Sequence, residues 1–253
     1  LWRFDASMDM NSETTVTLPT NVSTVLRSFI AAAKKAFGDN LRSVVLYGSG
    51  AEGRLRPTSD VNLILLLTSF DRGQADQLRE PLRLAEAAIK LRVMFLLQEE
   101  LKPATQAFAV KFADIARRRV VLYGEDPFAS ISVAKEDAIF RLRQTLLNLT
   151  LRLREAYIAR SLREEQLAAV IADAAGPLRS CASTLLDLEG RAATSPKEAL
   201  EHVAASLAGT AQNMQLVTEA RQKRTLRSGA APVVLFYLIE LAQAMWARAG
   251  QLK

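Results

Sequence analysis

The sequence predicts an α/β N-terminal domain built on a small mixed sheet, followed by an all-α helical bundle. Three observations predict it. Short apolar runs bounded by turn residues all fall in the first half of the chain. Stretches with apolar residues three and four apart alternate with those runs, and beyond about Asp126 only the helical period remains. The expected partition is a loose leader over 1–18, an α/β domain over 19–126 and the bundle over 127–253.

The leader, LWRFDASMDMNSETTVTLPT, has no basic start followed by an apolar core, so it does not read as a secretory signal. In TNVSTVLRSFIAAAKKAFGDN, Val22, Val25, Leu26, Phe29, Ile30, Ala33 and Phe37 share one helical face, and Gly38 follows as a stop. RSVVLYG and DVNLILLL then read as strands buried on both faces, with a polar loop between them. A helix from about Gln74 to Lys90 leads into a third strand, LRVMFLL. One helix through ATQAFAVKFADIARR and a short VVLYG run, a fourth strand, complete the domain.

In the second half, Ile139, Leu142, Leu146, Leu149, Leu153 and Ala156 form a stripe within a helix over Lys135 to Arg163 that faces other helices. Such a stripe also allows helix-mediated homodimers. Gly176-Pro177 predicts a kink or break in the next helix. Ser195 as N-cap, Pro196 at the first helical position and Glu198 at the capping-box position start another. APVVLFYLIELAQAMWARAG carries Glu240 and Gln243 and is short for a bilayer span, so it reads as a core helix with no membrane role.

Of the 253 residues, 49% are hydrophobic and 24% charged, which leaves no room for a long disordered region. The formal charge of +6 is a mild bias toward anionic partners such as nucleotides, nucleic acid or acidic protein surfaces. The basic residues are mixed with Glu along the helices and few aromatics accompany them. Specific nucleic-acid binding is therefore not expected, and Arg141, Arg152 and Arg163 read as a solvated face. Cys181 is the only cysteine, which excludes an intrachain disulfide, fits a reducing cytoplasm and, at its apolar spacing, reads as a packing thiol. His202 is the only histidine, so multi-histidine metal sites are excluded as well.

The chemistry-bearing stretch is VVLYGSGAEGRLRPTSDVNLILLL. A Gly-Ser step directly after a buried strand can turn backbone N–H groups toward a phosphate, because glycine permits a close approach; Gly48 and Ser49 fit that role. Asp60 and Asn62 stand two apart at the next strand, so both project to one face of the sheet while Val61 points into the core. With Gly48, Ser49, Gly53, Arg54, Arg56, Pro57, Ser59, Asp60 and Leu63 in matching places, GSGAEGRLRPTSDVNLIL resembles the signature of the polymerase-β-like nucleotidyltransferase superfamily. That group includes aminoglycoside-modifying adenylyltransferases, and a helical C-terminal bundle is usual in that branch, where it helps bind the acceptor.

The resemblance implies transfer of a nucleoside monophosphate from ATP or another nucleoside triphosphate to a small-molecule or protein acceptor. Two Mg²⁺ ions held by three carboxylates would assist the attack. Gly48, Ser49, Arg54 and Ser59 would hold the nucleotide, and Asp60 and Asn62 would be the catalytic, metal-binding pair. Asn62 stands where the family has its second acid, and an amide lacks the charge that helps hold two dications together. The strand LRVMFLL offers no third acid. Glu99 and Glu100 follow it and are expected to cap or flank the next helix. Two functions are therefore open: a nucleotidyltransferase with a reduced metal site, or a degenerate member that binds nucleotide or a protein and transfers nothing. A ribonuclease in the helical half is not supported, since the nearest Arg before His202 is Arg191.

Overall fold

The computed structural model describes residues 2–3, 16–129, 134–191 and 193–252, so most of the expected leader lies outside the described residues. The chain forms two compact units, one of residues 1–105 and 115–132, the other of residues 106–114 and 133–253.

In the first unit, Trp2–Arg3 (β1) pairs antiparallel with Thr17–Leu18 (β2). Helix α1, Thr20–Phe37, follows and ends at Gly38. The main sheet has Leu41–Tyr47 (β3), Val61–Leu67 (β4), Leu91–Leu97 (β5) and Arg119–Gly124 (β6), in the order β5-β4-β3-β6. It is mixed: β3 runs antiparallel to β4 and β6, and β4 runs parallel to β5. The parallel pair needs a crossover, which helix α2, Arg72–Ile89, supplies from an Asp71 cap that accepts the Gln74 N–H at 3.0 Å.

Alternation along the strands decides the layering. Val44, Leu46, Val61, Leu63, Leu65, Leu67 and Leu91 join Leu26, Phe29, Ala33 and Phe37 of α1 and Leu78, Ala85 and Ile89 of α2 in one core on one face of the sheet. Residues one step out of phase, Asn62 and Arg92 among them, belong to the other face. The helix expected through residues 104–118 is two helices, Leu101–Ala107 (α3) and Ala109–Arg117 (α4), interrupted at Phe108. The break adjoins the step after Thr105 at which the chain leaves the first unit.

The second unit is helical: Lys135–Arg160 (α5), Glu164–Leu188 (α6), Pro196–Ala204 (α7), Thr210–Lys223 (α8) and Ala230–Ala249 (α9). Leu142, Leu146 and Leu153 of α5 point into a core shared with α6 and α9, as the stripe predicted. Ser195 caps α7 by accepting the Glu198 N–H at 3.2 Å, while the Glu198 carboxylate turns back to the Thr194 N–H at 2.8 Å. Among the described residues α9 is the one helix long and apolar enough to cross a membrane; 56% of its apolar window is buried, with Val234, Leu238, Leu241 and Met245 in the core.

The break expected at Gly176-Pro177 does not occur: α6 continues through both residues. It packs against α5, α7, α8 and α9 at once. Ala174, Ala175, Leu178, Cys181 and Ala182 are all buried, and burial along the whole helix outweighs the roughly 3 kcal/mol local penalty of an interior proline.

Cys181 sits in that helix fully buried, and burial, with Asp114 adding a smaller repulsion, pushes its thiol up to about 12. A thiol raised on folding leaves its stabilisation intact below the unfolded value near 9.0 and loses it as pH rises toward 12. The native protein should therefore resist a thiol reagent at pH 8 and react only on unfolding, with stability falling above about pH 9. Stoichiometric labelling of the native chain within seconds would contradict this.

Candidate functional site

The loop between β3 and β4 is held by its own backbone. Gly48–Gly50 forms a single 3-10 turn directly after β3, with Gly48 at φ 74°. The Arg54 N–H closes back onto the Ser49 carbonyl at 2.9 Å, and the Gly53 N–H onto the Gly50 carbonyl at 3.2 Å. Further along, Ser59 makes a small turn of its own: its hydroxyl oxygen accepts the Arg56 N–H at 3.2 Å and its N–H donates to the Arg56 carbonyl at 2.9 Å. Lys90, at the end of α2, ties the loop down by donating from Nζ to the Pro57 carbonyl at 3.3 Å and accepting the Val61 N–H at 3.2 Å.

The Gly48 amide donates to the Arg118 carbonyl at 2.9 Å, so it does not face outward as the phosphate reading expected. That bond docks the turn against the residue that leads into β6. A Cβ placed on Gly48 would meet nothing within 4 Å, so there is open space beside this backbone. Beside the turn, Glu52 accepts from Arg118 at 3.1 Å, the two side chains being only 22% and 19% exposed, and lies 3.9 Å from the exposed Arg54 guanidinium.

Asp60 is exposed immediately before β4. Asn62, half-buried, donates from Nδ2 to the Asp60 carbonyl at 3.3 Å. That bond leaves its carboxamide oxygen as the group available to an incoming donor or cation.

Strand register shows what surrounds the pair. Asn62 lies opposite Tyr47 on β3 and beside Arg92 on β5, and Tyr47 in turn lies opposite Arg119 on β6. In-register neighbours share a face, with strands about 4.8 Å apart, so one row across the sheet reads Arg92, Asn62, Tyr47, Arg119. Arg119 is committed to Asp126, with contacts of 2.6, 2.9 and 3.1 Å. Burial of Asp126 opposes its ionisation, but the hydrogen bonds from Arg119 and the Phe128 N–H, with the charge of Arg119, hold its carboxyl below the usual range. Arg92 is held at one nitrogen by Glu86 at 2.5 Å, and both side chains are exposed.

Glu99 and Glu100 are at the other end of β5, roughly 20 Å along the strand from Arg92. Glu100 accepts the Leu97 N–H at 3.0 Å and so caps the turn, as expected. Among the described residues no three acids, histidines or cysteines cluster as metal ligands. Arg92 is the residue the sequence reading passed over. The signal was a polar residue second in an otherwise apolar run, in "LRV" as in "VNL", which becomes informative once the two runs are known to pair in parallel.

No family model matches the chain, and no curated protein matches its sequence. In three dimensions it is similar to the crystal structure of spectinomycin adenyltransferase AAD(9) from Enterococcus faecialis with ATP and spectinomycin. The TM-score is 0.63 at 12% identity, covering 87% of this chain and 99% of that one. At that identity the likeness shows the fold alone: this chain shares the overall architecture of that protein.

Proposed function

We propose that this chain binds a nucleoside triphosphate at the loop from Gly48 to Asp60 through its phosphates, and transfers no nucleotidyl group. The observation that carries this reading is the register of Arg92 beside Asn62. A two-ion mechanism needs clustered negative oxygens. The row offers one carboxylate at Asp60, one carboxamide at Asn62 and a guanidinium at Arg92, a donor set that does not fit two dications. It suits a polyphosphate instead: Glu86 orients one Arg92 nitrogen and leaves further N–H donors of the fork for phosphate oxygens, with Ser49, Arg54 and Arg56 nearby on the loop. Asp60 and Asn62 are then positioning groups at the rim. The domain of residues 19–126 would carry this site, the helices of 127–253 would take a partner or the relic of an acceptor site, and the lone buried thiol suits a reducing cytoplasm.

ATP is the probe, being the nucleotide bound in the structurally similar enzyme. Titrated in the presence of EDTA, it should bind without Mg²⁺. Arg92→Ala should weaken binding about tenfold or more, the scale of one charge-assisted phosphate contact. Asp60→Ala should leave binding nearly unchanged. Pyrophosphate release from ATP by the unmodified chain, lost on Asp60→Ala, would overturn the proposal in favour of a working enzyme with a reduced metal site.

A further inference from the structure

Helix α5 has a second apolar stripe that its own fold does not cover. Phe140, Leu147, Leu151 and Ile158 are 62%, 48%, 53% and 80% exposed, on a helix whose buried residues are Leu142, Leu146, Thr150 and Leu153. At about 100° per residue, the four exposed residues fall within an arc of roughly 40° on the side away from the buried stripe. Isolated exposed apolar residues need no explanation, but an aligned row of four does. Their spacing of seven, four and seven residues is that of a coiled-coil seam. Phe236 of α9, itself 48% exposed, lies edge-on to Tyr157 of α5 with ring centroids 4.6 Å apart.

We propose that this face is a homodimer interface, in which α5 packs antiparallel against α5 of a second copy about a two-fold axis near residue 149. The row is self-complementary about that point. Reflection along the helix through 149 sets Leu147 against Leu151 of the other copy and Phe140 against Ile158, so each large side chain meets an apolar one. The same operation sets Gln144 against Arg154, a polar pair that fixes register. On one flank of the seam, Arg141 comes within two residues of Glu155 of the other copy, twice over by symmetry. In an antiparallel pair, residues on the same flank face each other, so opposite charges meet; in a parallel pair each flank faces the opposite flank of the other copy, so Arg141 and Glu155 would not meet. A closed two-fold contact of this kind uses one patch on both copies. The charge pattern therefore selects a second copy of this chain in one orientation over a membrane surface or an unrelated apolar partner.

The test is the solution mass of the full chain by sedimentation equilibrium or light scattering, with a far-UV spectrum and thermal melt for each variant. The expected species at tens of micromolar is a dimer of twice 27.8 kDa. Leu151→Asp, at a half-exposed position, should give a folded monomer. Arg141→Glu should weaken dimerisation at least tenfold, and combining it with Glu155→Arg should restore it. A wild-type chain that stays monomeric at 100 µM, a dimer indifferent to Leu151→Asp in a folded variant, or a charge reversal that the second reversal fails to rescue would each overturn the proposal. Adding vesicles of anionic lipid to the monomeric range distinguishes the remaining occupant: binding to vesicles in preference to self-association would also overturn it.

Discussion

Gly124→Ala should destabilise the α/β unit by about 2–4 kcal/mol, enough to lower its melting temperature by roughly 5–15 °C or to detach β6 from the sheet. Gly124 closes β6 opposite Ser43 at φ 74°, beside the irregularity in the β3–β6 ladder. A Cβ built there would stand 1.9 Å from the Arg42 carbonyl oxygen and 2.9 Å from its carbon, and both are backbone atoms of a central strand. No rotamer relieves such an overlap, so strand β6 must move. Gly48 is the control, because it has the same φ of 74° but nothing within 4 Å of its Cβ position. Gly48→Ala should therefore cost only the left-handed penalty, on the order of 1–2 kcal/mol. Urea unfolding of the two variants, with amide exchange at Val121 and Leu122, measures the difference. Equal stabilities would show that β6 adapts freely and that its clash with Arg42 carries no weight.

The consequence reaches the loop, because β6 holds it from beneath. The Gly48 N–H donates to the Arg118 carbonyl just before β6, and Arg118 also pairs with Glu52. Displacing β6 should loosen both contacts, so Gly124→Ala should weaken nucleotide binding as well as stability.

How much of this was legible in the sequence depended on whether the deciding interaction was local. The strands VVLYG and DVNLILLL could be read because an apolar run between turn residues is a property of the run itself, and both lie where expected. The stripe on α5 was equally local. At Gly176-Pro177 the chain does not break, because the local rule is correct but subordinate: α6 packs against four helices, and that packing keeps it helical through a residue that would end an isolated helix. Arg92 could not be assigned to the site from its own neighbourhood. Its place beside Asn62 is a fact of strand register, which the 18 residues of the crossover helix and the sheet order decide between them. The exposed row on α5 lay in plain sequence, but whether a residue on a helix is covered depends on which neighbours the bundle supplies.

Asn62→Asp on its own should raise Mg²⁺ or Mn²⁺ affinity little, and the double substitution Asn62→Asp with Arg92→Glu should raise it by about tenfold or more. The single change puts a carboxylate next to the Arg92 guanidinium, one strand away in register. The two should pair with each other, and an exposed pair worth about 0.2–1 kcal/mol then competes with the metal for the new oxygens. The double change replaces that cation with a second new carboxylate, so that Asp60 and both new acids share one end of the sheet. A unit charge about 4 Å from another is worth about 4 kcal/mol at an effective dielectric near 20, and less where solvent screens it. Even a third of that for one carboxylate gives the expected tenfold. Mn²⁺ titration measures the affinities directly, and pyrophosphate release from ATP then asks whether a restored donor set is sufficient for turnover. If the double variant binds Mn²⁺ no better than the unmodified chain while remaining folded, the side chains at 62 and 92 do not converge on a shared ligand, and the phosphate role proposed for Arg92 fails with it. If Asn62→Asp alone gives strong metal binding and transfer, Arg92 stands clear of the metal position and the chain is a single substitution away from a working transferase.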